Sequence, residues 1–393
     1  MRNAQISHRG KMLIGLMAAV IMLGNVGEAM AAKGYRLKKS KFSSLAGWDA
    51  DNHAEAFAVF RRSCAHKLSN GRSRGAHGLN GVCRLALSGP AALPRPLAKR
   101  FFERHFTPYL IIARGTSKGL FTGYFEPEYK GARKKGPGYA APVLPAPENL
   151  VALPAGKGPR GFPSGLTAAL QSDKGLKPVP TRGQIENGAL KKLIQPIAWL
   201  ADPVDAFFLH IQGSGRIRLP DGGTMRLAFA GRNGHPYSSI GLKLLKDGIL
   251  KKNQLSMQSV QAWLRGNPKR ARKILQGNKS YIFFREIELD DELGPIGADG
   301  VPLTAGRSLA VDRRYHRYGL PLWLDTRIPG EGGRKTRKYR RLMIAQDTGA
   351  AIRGAVRGDI FFGTGDAAGE VAGRVKEVGR LYMLLPKTVN RKR

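Results

Sequence analysis

The sequence is short of sulfur, of histidine and of acid. Its 393 residues hold two cysteines, Cys64 and Cys83, and eight histidines. The histidines are scattered, with no His-Glu-x-x-His run and no Cys/His pairs at ligand spacing, which argues against a metal enzyme. There is no phosphate-binding loop and no strand-to-helix nucleophile elbow, so neither nucleotide-phosphate chemistry nor a serine nucleophile is indicated. No metal and no other cofactor is expected. Acidic residues number 28 against 66 Lys and Arg, a formal net charge of +38. So basic a chain points to polyanionic partners. Nucleic acid is the first of these to consider, but the N-terminus argues against it.

That N-terminus reads as a targeting segment over residues 1–31. Arg2, Arg9 and Lys11 form a basic start, and Met12 to Leu23 is an apolar core too short for a comfortable membrane span. Ala29-Met30-Ala31 is a cleavage site of the small-x-small kind. An uncleaved anchor is the alternative. In an exported protein, Cys64 and Cys83 are expected to form one disulfide, with two buried thiols as the alternative. Closing that loop would contribute about 3 kcal/mol in the chain-entropy model. The dense basic runs, Lys130 to Lys135, Lys269 to Lys273, Arg334 to Arg341 and Arg391 to Arg393, read mostly as solvated loops and tails.

Glycine, by contrast, is plentiful at 50 residues, which favours many turns and a β-rich chain. Asp51 or Asn52 can cap a helix to about Leu68, with Phe57, Phe60, Cys64 and Leu68 on its apolar face. Ser69 to Gly78 reads as a loop. A second helix follows Pro94-Arg95-Pro96, with Leu97, Phe101, His105 and Tyr109 on one face. His105 there reads as packing. Gly119 to Tyr129 reads as a strand ending in an aromatic, acidic loop. Lys130 to Gly183 reads as long loops between short strands. Phe207 to Ile211 reads as a strand, followed by a hairpin of Arg216–Leu219 and Met225–Phe229 about Pro220-Asp221-Gly222-Gly223. Ser238 or Ser239 can cap a helix to about Lys252, and Ser256 another through Val260, Trp263 and Leu264. A short basic helix follows Asn267-Pro268 to Leu275, and Ser280–Phe284 is a buried strand.

Chemistry concentrates in Arg341 to Pro386. Asp347 and Asp359 adjoin short apolar runs, and glycines crowd both, so that backbone can turn sharply and approach a ligand closely. A third acid, Asp312, lies upstream in Leu309–Gly319. Taken alone, an Asp beside Gly is commonly a turn residue. Three blocks nevertheless occur in order: Val311-Asp312-Arg313 to Gly319, Ala345-Gln346-Asp347-Thr348-Gly349-Ala350-Ala351-Ile352-Arg353-Gly354, and Gly358-Asp359-Ile360-Phe361-Phe362-Gly363. Together they resemble the three-aspartate C-terminal domain of the membrane-bound lytic murein transglycosylase A family. Earlier blocks resemble the family too: Thr122-Gly123-Tyr124, Gln212-Gly213-Ser214-Gly215, Ala230–Gly241, Gly294–Ala298 and Val301–Thr304, the last two as the approach to Asp312.

The resemblance implies a mainly β fold with flanking helices. A double-psi β-barrel domain, residues 32–128 and 280–393, would carry the three aspartates. A second β-barrel domain, residues 129–279, would be inserted into it, leaving a substrate groove between the two. It implies cleavage of the β-1,4 bond between N-acetylmuramic acid and N-acetylglucosamine without water, leaving 1,6-anhydro ends. Asp359 would be the catalytic acid, with Asp347 and Asp312 as supporting carboxylates. Thr122, Gly123, Tyr124, Gln212, Gly213, Ser214 and Gly215 would line the groove. A glycan hydrolase pairing Asp347 with Asp359, and a non-catalytic wall-binding protein, are the competing readings. The expected partner is the peptidoglycan strand, with anionic membrane or wall polymers meeting the basic surface and no nucleic acid. A periplasmic monomer is expected. Many family members carry a lipidated Cys directly after the cleavage site; this chain has none there, so association with the outer membrane would not use a lipoprotein anchor.

Overall fold

The structure is a computed structural model. It describes residues 34–70, 77–154, 158–290, 293–330, 335–349 and 351–387. The targeting segment of residues 1–31 and the basic run 391–393 lie outside the described residues.

Three strands open the chain: β1 (Tyr35–Lys39), β2 (Phe106–Ala113) and β3 (Gly119–Glu126). The chain then departs through β4 (Glu128–Ala132), β5 (Ala141–Val143), β6 (Leu150–Ala152), β7 (Ala168–Ser172), β8 (Gly175–Pro178), β9 (Ala198–Leu200), β10 (Gly215–Arg218), β11 (Thr224–Arg232) and β12 (Ile282–Glu286). It returns as β13 (Ser308–Val311), β14 (Pro321–Pro329), β15 (Thr336–Asp347), β16 (Arg357–Thr364) and β17 (Lys376–Pro386). The opening and closing strands form one eight-stranded sheet, ordered β1-β2-β17-β14-β15-β13-β16-β3. A further pairing of β17 with β3 closes six of them into a ring. Two pairings in that ring, β13 with β15 and β16 with β3, are parallel. The excursion builds a six-stranded sheet, β12-β11-β10-β4-β9-β5, and a three-stranded one, β6-β7-β8.

Strand alternation fills the ring. Phe121, Leu309, Val311, Met343, Ala345, Ile360 and Leu381 point inward and are buried together, as period-2 patterning requires. The outer face is covered at one end only. There Trp323, Leu342 and Leu384 pack under the helices His53–Ser69, His77–Ser88 and Arg95–His105, and the Trp323 ring meets Trp48 edge-on at 5.1 Å. Cys64 and Cys83 are joined, tying the first of these helices to the second.

Several expectations need correction. The segment Phe207–Ile211 is not a strand; it lies in the helix Pro203–Gln212. The apolar run suits either element, but its flanks decide. Asp202 accepts a bond from Val204 N at 2.8 Å, Pro203 sits in the first turn, and Gly213 takes φ 81° at the C-terminus. A further helix, His77–Ser88, begins at the end of the expected Ser69–Gly78 loop and fills a stretch given no element from the sequence. Gly78 and Gly81 weaken its propensity, and burial of Leu79, Val82, Cys83 and Ala86 holds it. In the helix Arg95–His105 the buried residues are Ala98 and Phe102, while Leu97 is exposed and Tyr109 already belongs to β2. Asp51 makes no cap: it is buried against Arg307, at 2.8 Å. The helix capped by Ser239 stops at Lys246.

The joint between the two sheet systems is a buried ion cluster. Glu126, at the end of β3, is fully buried. Arg226 Nε donates to its Oε1 at 3.1 Å, and Arg226 Nη2 and Arg216 Nε donate to its Oε2 at 3.0 and 3.1 Å. Thr364 of β16 donates to the same Oε2 at 2.9 Å. A buried carboxylate survives only with such donors. The cluster therefore fixes the inserted sheet to the ring.

Candidate active site

The strand register brings the acids together. Ala310 on β13 stands opposite Asp359 on β16 and opposite Asp347 on β15. Asp359 in turn stands opposite Thr122 on β3, and Phe361 opposite Tyr124. Residues opposed across strands share a face. Asp347, Asp359, Thr122 and Tyr124 thus meet on the outer face of the ring, at the end where the inserted sheet joins it.

Asp359 is half-buried and lightly held. Its Oδ1 accepts a short hydrogen bond from Thr122 Oγ1. Arg357 Nη2 donates to the same Thr122 oxygen at 2.8 Å. No described residue donates to its Oδ2, which is left for a ligand. Burial pushes the Asp359 carboxyl above its ordinary value; the Arg357 charge and the Thr122 bond pull the other way.

Asp347 differs. Tyr124 OH donates to its Oδ2 at 2.8 Å, Ala298 N to its Oδ1 at 3.0 Å, and the Thr348 amide adds a third bond. Burial raises its pKa and the Asp359 charge adds to that; the three bonds pull the other way without cancelling it, so the Asp347 carboxyl also lies above its ordinary value. Tyr124 is pushed well above its ordinary value by burial and then by Asp347, so it remains a donor. Its ring leans on Phe361 at 5.3 Å.

Asp312 is fully engaged elsewhere. Arg314 Nη2 donates to it at 2.6 Å, Arg314 Nε at 3.0 Å, and the amides of Arg314 and Gly354 at 3.1 and 2.8 Å. Burial raises its pKa, but these bonds outweigh that and hold it at about 2. The carboxylate ties down the loop between β15 and β16.

The segment Gly294–Ala298, expected beside Asp312, serves Asp347 instead. A Cβ on Gly297 would come within 2.6 Å of Gln346 O, so glycine is what lets the Ala298 amide reach Asp347. Gly123 is required for packing, because a Cβ there would meet the Phe362 ring at 2.7 Å and Ala372 Cα at 2.9 Å. Of the Gln212–Gly215 block, Gln212 faces the joint and accepts from Phe125 N at 3.4 Å. Gly213 ends the helix, and Gly215 packs on Leu209. Ser214 is half-buried beside them. Arg357 and the Glu126 cluster were not singled out in the sequence. Arg357 lies two residues before Asp359, the spacing of one strand face, and that signal was available. Among the described residues no group of three or more His, Cys, Asp or Glu could hold a metal ion.

Two stretches of the chain match two family models. Residues 120–285 match the MltA specific insert domain and residues 307–385 the 3D domain. The protein is thus of the class that sets an inserted β domain beside a 3D-domain ring. MltA from Neisseria gonorrhoeae is 37% identical, covering 91% of this chain and 94% of that one, with a TM-score of 0.75. The membrane-bound lytic murein transglycosylase A of Escherichia coli strain K12 is 36% identical over 211 residues, 52% of this chain and 56% of that protein. By that match the chain spans little more than half the length of its curated relative. Escherichia coli MltA solved with bound chitohexaose is 26% identical, covering 84% of this chain and 90% of that one, with a TM-score of 0.62. The chain belongs to the MltA family.

Proposed function

We propose that the protein is a murein lytic transglycosylase, acting on peptidoglycan in the periplasm with Asp359 as acid and then base. The observation that carries this is the contrast in hydrogen bonding: among the described residues Asp359 has one hydroxyl donor, with none to its Oδ2, in a setting that raises its pKa. It is the carboxyl best suited to hold a proton near neutral pH. The relatives' names and the bound chitohexaose of the Escherichia coli protein support a glycan substrate.

The protonated Asp359 donates to the glycosidic oxygen as the C1–O bond breaks, and the N-acetylglucosamine side leaves as an alcohol. The carboxylate then takes the proton from O6 of the same muramyl residue. O6 bonds to C1, giving the 1,6-anhydro end and regenerating the acid. Ring closure is intramolecular, so the nucleophile arrives at high effective concentration. Asp347, with three donors aimed at its carboxyl, lies on the same face, placed to offset the positive charge that develops on the sugar. Asp312 supports the loop. Gln212, with Gly213, Ser214 and Gly215, forms the wall across from Thr122, Gly123 and Tyr124. The relatives' description as membrane-bound supports work at a membrane face. The protein works as a monomer.

Mass spectrometry of the soluble products from purified murein tests this. Anhydro-muropeptides are expected. Products heavier by one water would instead make Asp347 and Asp359 a hydrolase pair, and binding without release would make the protein a wall-binding module.

A further inference from the structure

We infer that the groove continues sideways onto an uncovered cationic face of the ring, and that this face takes the carboxylates of the short peptides carried by the glycan. The inference rests on the murein reading above.

Continuity comes from register. Thr122, beside Asp359, stands opposite Lys376 on β17. Two residues along, Leu120 stands opposite both Arg357 and Val378. Across the next pairs, Arg380 opposes Asp325, Asp325 opposes Arg340, and Arg327 opposes Lys338. These positions all share the face that carries Asp359 and Thr122. This is also the face that helices cover at Trp323 and Leu342; beyond Arg340, against which Gly47 lies, the described residues leave it open.

Its composition is one-sided. A shallow cleft of about 200 Å³ is lined by Lys118, Arg327, Lys338, Arg340 and Arg380, with Asp325 as the one carboxylate. Asp325 is already paired with Arg340 at 2.7 Å. Arg327 and Lys338 face each other as like charges, which destabilises a sheet unless an anion lies between them. Arg327 is held in place by Thr336, its Nε donating to Oγ1 at 2.6 Å and its Nη2 to the carbonyl at 2.7 Å. Leu120 and Val378, 39% and 61% exposed, set two apolar spots between the catalytic acid and the cations. Carboxylates joined by small apolar side chains fit that order.

The reach is right as well. At a strand spacing of about 4.8 Å, Lys376 lies roughly 10 Å from Asp359, and Arg380 about 13 Å further along β17. An extended peptide of four or five residues spans about 15 Å. Anchored at a sugar in the groove, it would cross Leu120 and Val378 and bring its terminal carboxylate to the cleft.

The test combines Arg327→Ala, Lys338→Ala and Arg380→Ala in the full chain, leaving Arg357 and Lys376 intact. Sedimentation with intact murein and with murein whose carboxyls have been amidated gives the half-saturating amount. The wild type should need roughly tenfold more of the amidated material, and the triple variant roughly tenfold more of the intact material with no further loss on amidation. The wild-type comparison does not depend on how the variant folds. Equal binding of both materials by the wild type would overturn the inference. So would a triple variant that matches the wild type on intact murein. Loss of binding to phosphatidylglycerol vesicles with unchanged murein binding would overturn it too and assign the face to a membrane. If the wild type binds but releases no anhydro product, the proposed reaction fails, while the sedimentation result still decides the face.

Discussion

Asp312, just past the end of β13, and Asp359, on its partner strand β16, belong to one three-aspartate pattern, yet the molecule treats them oppositely. Asp312 is saturated with donors, from two groups on Arg314 and two backbone amides, and is held at about 2. Asp359 has a single hydroxyl donor and is pushed up by burial. Desolvation raises both; at Asp312 the donors outweigh it, while at Asp359 one hydroxyl bond and the Arg357 charge do not. Asp347 stands between, desolvated but with three donors. Membership of a motif therefore says less about a carboxylate's role than the count of N–H and O–H groups aimed at it.

Substitutions can break this contrast. Asp359→Asn removes the proton donor, and release of anhydro-muropeptides should fall by roughly a thousandfold. Its thermal midpoint should hold, because the amide replaces a carboxyl that is already uncharged; scanning calorimetry beside the product assay checks both. Asp312→Asn should do the reverse. It should lower stability by about 2 kcal/mol in urea unfolding, with turnover per folded molecule little changed. In the wild type the Asp312 contribution is complete above the ordinary value of 3.8 and fades as pH falls through about 2. Acid unfolding of the variant should lack that component. Tyr124→Phe strips one donor from Asp347 and should lower kcat about tenfold with little change in KM.

Arg357→Gln gives the smallest effect and the sharpest sign. The Arg357 charge lowers the Asp359 pKa, so its removal raises that pKa further. Activity requires the protonated acid and is lost as pH rises through the pKa. The alkaline limb of kcat/KM against pH should therefore move to higher pH, and an unmoved or lowered limb would remove Arg357 from the tuning of Asp359.

Much of the architecture was legible because it is written in local patterns. The short apolar runs Leu342–Ala345 and Ile360–Phe362 mark the strands that carry Asp347 and Asp359. Ser256 capping a helix through Leu264, and the Pro220–Gly223 turn, were equally visible. Phe207–Ile211 misled because an apolar run of five has no period of its own; Asp202-Pro203 before it and Gly213 after it held the answer. Pairings between distant residues were not legible at all. Nothing near Glu126 in the chain announces Arg216 and Arg226, and nothing near Asp51 announces Arg307. The difference between Asp312 and Asp359 is of that kind, since the Gly354 amide and the Thr122 hydroxyl reach them only through the folded register.

The most direct test is a carbon-detected NMR titration of the Asp312 and Asp359 carboxyls in the intact protein. Asp312 should titrate at about 2 and Asp359 above the ordinary aspartate range. If Asp359 titrates at or below its ordinary value, it is ionised where the protein works, and the assignment of the acid is wrong.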